Sequence, residues 1–171
     1  ARLLRDHAVQ RAAAGSIINI GSMYGQVGSY PDAYEGIGSA SSVAYHCLKG
    51  GTIHMTRHLA VYWAKDQVRV NCLSPGAFPN ISAAPAELVE RLDSKCPMGR
   101  MGTSSELKGA IVFLASHASS YMTGQNLIID GGWACPGRKL CMYLKKIVNN
   151  KNQSVKKIQM VDSNIFDIRE E

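Results

Sequence analysis

Three short apolar runs, each closed by a turn signal and followed or preceded by a helical stretch, constrain this chain most. Ser16-Ile17-Ile18-Asn19-Ile20 ends in Gly21-Ser22, Val68-Arg69-Val70-Asn71-Cys72-Leu73 in Pro75-Gly76, and Leu127-Ile128-Ile129 in Asp130-Gly131-Gly132. β-branched residues favour strands, and Gly and Pro punctuate them. Helical patterns are expected over 2–13 (stopped at Gly15), 43–63 and 104–117, with a short helix near 85–93. Leu3, Leu4, Ala8 and Ala12 make the apolar stripe of the first helix. Residues 24–42, rich in Gly, Ser, Pro and Tyr, read as loop, as does Gly36-Ile37-Gly38-Ser39-Ala40-Ser41, a faint glycine fingerprint with no strand before it. Strands alternating with helices specify an α/β chain whose parallel sheet is covered on both faces.

Composition narrows the classes. With 171 residues, 46% hydrophobic and 19% charged, the chain has the make-up of one ordinary globular domain, not of a disordered one. Its apolar runs fall short of the roughly 20 residues that cross a bilayer. Residues 1–133 hold 11 Lys and Arg against 9 Asp and Glu, whereas 134–171 hold 8 against 4. The body therefore lacks the charge of a nucleic-acid surface. The excess sits in a basic tail, with seven cations and no acid over 138–157. That tail reads as a poorly ordered extension, possible short elements being a helix at 139–148 and a strand near 155–161. Binding of nucleic acid or acidic lipid by the tail is the minor alternative. Five scattered cysteines without a Cys-x-x-Cys pair suit a reducing, cytoplasmic setting. Cys47 and Cys72 read as packing residues. His54 and His58, at i and i+4 without a Glu between them, read as partly exposed side chains, not zinc ligands. The Arg-rich opening reads as a helix of the fold in preference to a transit peptide.

The chemistry concentrates at Tyr45 and Lys49, which share one helix face at i and i+4. A phenol ionises near ~10, and a neighbouring ammonium favours its phenolate. Such a phenol can give and take a proton. Ser22, where the first strand ends, is placed to polarise the reacting oxygen, because ligands bind at the carboxyl ends of parallel strands. The spacing alone also fits a core-edge Tyr beside a solvated Lys.

Context decides between these. Asn19-Ile20-Gly21-Ser22, Tyr45-His46-Cys47-Leu48-Lys49-Gly50-Gly51 and Val68-Arg69-Val70-Asn71-Cys72-Leu73-Ser74-Pro75-Gly76 resemble, in order, signature segments of the short-chain dehydrogenases/reductases. Pro97-Met98-Gly99-Arg100-Met101-Gly102, Phe113-Leu114-Ala115-Ser116, Tyr121-Met122-Thr123-Gly124-Gln125 and Asp130-Gly131-Gly132 continue the resemblance to about residue 133. It implies a partial doubly wound, Rossmann-type parallel sheet with helices on both faces. It also implies an NAD(P)-dependent oxidoreductase interconverting a small-molecule alcohol and carbonyl. In those terms Tyr45 is the proton donor and acceptor. Lys49 favours its phenolate and holds the nicotinamide ribose, and Ser22 binds the substrate oxygen. Pro75, Gly76, Ala77, Phe78 and Asn80, the last standing where the family has Thr, meet the nicotinamide carboxamide. Met23 and Tyr24 line the substrate pocket, with a surface loop as the alternative. Gly50-Gly51 stays within one helix, its small residues allowing close approach. Helices 1–13 and 43–63 pack between subunits of a homo-oligomer, and Leu59 and Trp63 serve as core or subunit contact.

The family's glycine-rich turn, its Asn-Ala-Gly segment and its catalytic Asn have no counterpart in these residues, so the first βαβ half is missing from the expected sheet. The segment between Ser22 and Tyr45 is longer than in most members and is similar to that of gluconate-dehydrogenase-like and flagellin-modification enzymes. It favours a sugar acid, a polyol or a nucleotide-linked sugar as substrate. The rival expectation is a catalytically silent remnant, or a partner docking on a complete homologue.

Overall fold

A computed structural model describes residues 1–79, 84–135, 159–162 and 165–167. It divides into two compact units, Ala1–Ala134 and Cys135–Glu171. In the first, β1 (Gly15–Ile20), β2 (Val68–Pro75) and β3 (Asn126–Ile129) form a parallel sheet in the order β1-β2-β3. The register runs from Gly15 opposite Val68 to Ile20 opposite Leu73, and from Cys72 opposite Asn126 to Pro75 opposite Ile129. β2 is central. Its Val68, Val70, Asn71, Cys72, Leu73 and Ser74 are fully buried, as a strand paired on both edges and covered on both faces must be.

Strand alternation assigns the faces. Ile17 and Asn19 of β1, with Val68 and Val70 of β2, meet α1 (Arg2–Gln10) and α3 (Val43–Trp63): Asn19 donates to Thr56 at 2.9 Å, and Ala8, Leu59, Ala60 and Trp63 pack on the valines. Ser16 and Arg69 point the other way, to α5 (Lys108–Ala115). The expected two-faced cover is therefore present. Arg69 also ends α5. Its guanidinium donates to the Leu114 and Ser116 carbonyls, each at 3.1 Å, and to Ser119 Oγ at 2.9 Å, a cation where the helix dipole is negative. Asn71, fully buried, donates to Met122 O at 2.8 Å and accepts from Gln125 N at 3.0 Å, so no polar cost is left.

Several expectations need correction. α1 stops at Gln10, not at Gly15, because Ala12 turns left-handed at φ 45°. The Ala12 and Ala13 amides return to the Val9 and Ala8 carbonyls, a Schellman ending. Of the α1 stripe only Ala8 is buried, and Leu3 and Leu4 are exposed. The 24–42 segment is not all loop: Met23–Gly25 winds a 3₁₀ turn and α2 (Pro31–Tyr34) a single helical turn with Pro at its first position. The helix expected over 104–117 is a 3₁₀ turn at Ser104–Leu107, then α5, then a second 3₁₀ turn at His117–Ser119. Cys47 is exposed, because α3 buries the stripe Ile53, Thr56 and Ala60 and turns Cys47 away from it. Cys72 is buried as expected. α3 itself spans the expected residues with both glycines inside it.

A second cluster stands beyond the carboxyl ends of the strands. Met23, Tyr24, Ala33, Leu92, Cys96, Met101 and Trp133 pack together, joining the 24–42 segment to α4 (Ala86–Lys95). Lys95 pairs with the Asp32 carboxylate. Arg91 donates to the Glu35 carbonyl at 2.6 Å. The second unit contains β4 (Gln159–Asp162) and β5 (Ile165–Asp167), paired antiparallel. The helix expected at 139–148, the basic run over 138–157 and the start of the strand expected near 155–161 lie outside the described residues.

Candidate active site

β1 delivers Ser22. The chain leaves the strand extended, and Ser22 Oγ accepts the Tyr24 N–H at 3.1 Å, capping the Met23–Gly25 turn. Accepting uses a lone pair, so the hydroxyl hydrogen can be aimed at a bound oxygen. Helix α3 delivers Tyr45 and Lys49. Ser42 caps it by accepting the Tyr45 N–H at 3.3 Å, which fixes Tyr45 in the first turn. One turn later Lys49 Nζ lies 5.6 Å from the centre of the Tyr45 ring and donates to the Ile20 carbonyl at 2.9 Å. Lys49 thus links the end of β1 to the phenol on α3.

The two elements approach closely because residue 25 is Gly. A Cβ there would stand 2.7 Å from the Lys49 carbonyl oxygen and 2.7 Å from Ile53 Cδ1. Gly76 plays the same role at the end of β2, where a Cβ would stand 2.6 Å from Asp130 Cα. Beyond it, the Ala77 carbonyl accepts from Gly102 N at 3.0 Å, and the Phe78 ring lies over Gly102. Pro75 closes β2 opposite Ile129. Asn80 lies outside the described residues.

Met23 and Tyr24 are buried in the cluster with Ala33, Leu92 and Trp133. The Tyr24 hydroxyl lies 3.1 Å from that of Tyr34. Burial, aided by the Tyr34 hydroxyl, pushes the Tyr24 phenol well above the ordinary tyrosine value. Tyr24 therefore stays protonated at neutral pH, and Tyr45 close by is half-exposed. Sequence reasoning overlooked His46. Its ring stacks on Tyr24 with centroids 5.0 Å apart, meets Tyr45 edge-on at 6.4 Å, and bonds Ser41 Oγ through Nε2 at 3.0 Å. Only its position beside Tyr45 hinted at this.

A cavity of about 70 Å³ lies between Phe78, Arg100, Glu106, Asp130 and Trp133, and a groove of about 660 Å³ opens at the amino ends of the strands by Arg69, His117 and Tyr121. Neither is lined by Ser22, Tyr45 or Lys49. The grouping of Ser22, Tyr45 and Lys49 at the end of β1 and the start of α3 marks the candidate site. Among the described residues no His, Cys, Asp and Glu cluster could hold a metal, and none of their helices is long and apolar enough to cross a membrane. His54 and His58 are exposed, and His58 lies against Tyr62 with centroids 4.5 Å apart.

A parallel sheet with helices on both faces and a polar Ser, Tyr and Lys set where its strands end defines a Rossmann-type α/β domain. A family model described as enoyl-(acyl carrier protein) reductase matches residues 1–134. D-arabinitol 2-dehydrogenase (ribulose-forming) of Scheffersomyces stipitis is 42% identical over 133 residues, which is 74% of this chain and 45% of that protein. The NADP-dependent mannitol dehydrogenase of Hypocrea jecorina is 42% identical over 121 residues, 70% of this chain and 42% of that one. A short-chain dehydrogenase of Leptospira borgpetersenii solved with bound NAD+ superposes with a TM-score of 0.68 at 39% identity, over 76% of this chain and 48% of its own. The chain belongs to the short-chain dehydrogenase/reductase family. It spans less than half the length of these relatives.

Proposed function

We propose that residues 1–134 carry the proton-transfer half of an NAD(P)-dependent oxidoreductase that interconverts an alcohol and a carbonyl. The observation that carries this reading is Lys49, held between the Ile20 carbonyl and the Tyr45 ring. In the reducing direction the Tyr45 hydroxyl gives its proton to the substrate oxygen, and in the oxidising direction it takes that proton back. The Lys49 ammonium stabilises the phenolate left behind. The Ser22 hydroxyl donates to the same oxygen and favours the charge that develops on it.

The residues present fit the nicotinamide end of a dinucleotide. Lys49 has donors beyond the one given to Ile20, suited to ribose hydroxyls. Gly76 keeps the backbone at the end of β2 free of a side chain, with Pro75, Ala77 and Phe78 beside it. When bound, the dinucleotide supplies or accepts the hydride. The polyol and sugar-alcohol substrates named for the relatives, together with Tyr24, Tyr34 and Ser41 beside the site, favour a hydroxylated substrate. Self-association through α1 and α3 belongs to the same reading, because Leu48, Met55 and Tyr62 recur every seventh residue on α3 and are all exposed.

The test is turnover of D-arabinitol and D-mannitol with NAD+ and NADP+, followed by nicotinamide absorbance. Tyr45→Phe is expected to lower kcat by about 10²- to 10⁴-fold, the usual contribution of a general acid–base group. Undiminished turnover in that variant would refute the assigned role.

A further inference from the structure

Ser22 and Tyr45 must face one substrate oxygen, yet they sit on different elements. Lys49 ties the end of β1 to α3 from one side. His46 makes a second tie from the other. Its ring stacks on Tyr24 at 5.0 Å with an interplanar angle of 29°, and Tyr24 is the residue whose N–H is held by Ser22 Oγ. The same ring stands edge-on to Tyr45 at 6.4 Å, within the range of aromatic pairs. Ser41 Oγ fixes the ring through Nε2 at 3.0 Å. Tyr24 is itself immobilised by burial and by the Tyr34 hydroxyl.

We propose that His46 is a positioning residue that clasps the Ser22 turn to the first turn of α3 and so sets the separation of the Ser22 and Tyr45 hydroxyls. The proposal rests on the oxidoreductase reading above and assigns His46 no contact with substrate. The stack on Tyr24 does the holding, and the Ser41 bond selects the ring orientation. A displacement of about 1 Å between reacting groups can cost about 10²-fold in rate, so the clasp acts on kcat more than on KM.

The test compares His46→Ala, His46→Phe and Ser41→Ala in the full chain. Backbone deuterium exchange is read over 22–26 and 42–47, with β2 as internal reference. Turnover is read with D-arabinitol and NAD+. His46→Ala is expected to speed exchange in both segments together, leave β2 unchanged, and lower kcat about 10- to 100-fold with KM within about threefold. His46→Phe keeps the stack and is expected to return both readouts to within about threefold of the parent. Ser41→Ala should lie between. Exchange unchanged in either segment, loss of β2 protection, a Phe variant as impaired as the Ala variant, or a rise in KM at constant kcat would each overturn the clasp. Exchange changes as expected in a parent chain without turnover would support the clasp and count against the oxidoreductase reading.

Discussion

Ala12 sits in the left-handed region, where an L side chain meets the following carbonyl. The Ala12 N–H donating to the Val9 carbonyl and the Ala13 N–H donating to the Ala8 carbonyl hold it there. Ala12→Gly should stabilise the chain by about 1 kcal/mol, read as a higher denaturation midpoint at constant slope. Gly25 is the converse. The atoms a Cβ would meet include the Lys49 backbone, which cannot swing aside as a side-chain tip can. Gly25→Ala should therefore cost about 1–3 kcal/mol and separate Ser22 from Lys49. Equilibrium unfolding, with turnover measured alongside, checks both effects. An Ala variant as stable as the parent would show that the close approach of the turn to α3 is not required.

At the scale of elements, β2 holds α5 through Arg69. Arg69→Leu leaves the Leu114 and Ser116 carbonyls without their charged donor, at a cost of about 2 kcal/mol. Deuterium exchange should show the last turn of α5 opening first. The Ser104–Leu107 turn is held differently, by a capping box between Thr103 and Glu106. There the Arg100 hydrogen bond, reinforced by the Thr103 N–H, lowers the Glu106 carboxyl from its ordinary 4.5 to about 2. Because the folded value is the depressed one, the pair stabilises fully above about pH 4.5 and loses its effect as pH falls towards 2. Melting curves of the parent and Glu106→Gln should differ at neutral pH and converge near pH 2. Elements written in local signals were legible beforehand. The span of α3 follows from its helical pattern over 43–63, and the three strands from β-branched runs ending in Gly or Pro. What escaped depends on distant partners. Arg69 as the cap of α5 joins residues on separate elements, and the burial of Tyr24 needs α4 and Trp133. The single turn of α2 is too short to show a period, although Pro31 marks its start. Ser22, Tyr45 and Lys49 were visible as a family pattern, whereas His46 beside them was not, because a stack on Tyr24 leaves no trace in spacing.

For the whole molecule, the outward stripe of Leu48, Met55 and Tyr62 on α3 makes association the measurable property. Met55→Lys in the middle of the stripe should lower the sedimentation coefficient while leaving the far-ultraviolet spectrum unchanged, since it buries a charge only where a second copy covers it. An unaltered sedimentation profile in an associating parent would remove α3 from the interface. The order in which contacts can form is written into the bond between Lys49 and the Ile20 carbonyl. It closes a loop of 29 residues, whereas Ser16 reaches Leu114 across 98. Loop entropy rises with the logarithm of length, a difference of about 1 kcal/mol between these two. The contacts that gather Ser22, Tyr45 and Lys49 thus lie in one short stretch near the start of these residues. A chain emerging from the ribosome can bring Ser22, Tyr45 and Lys49 together before β3 exists, and the later strand then stiffens a grouping already formed.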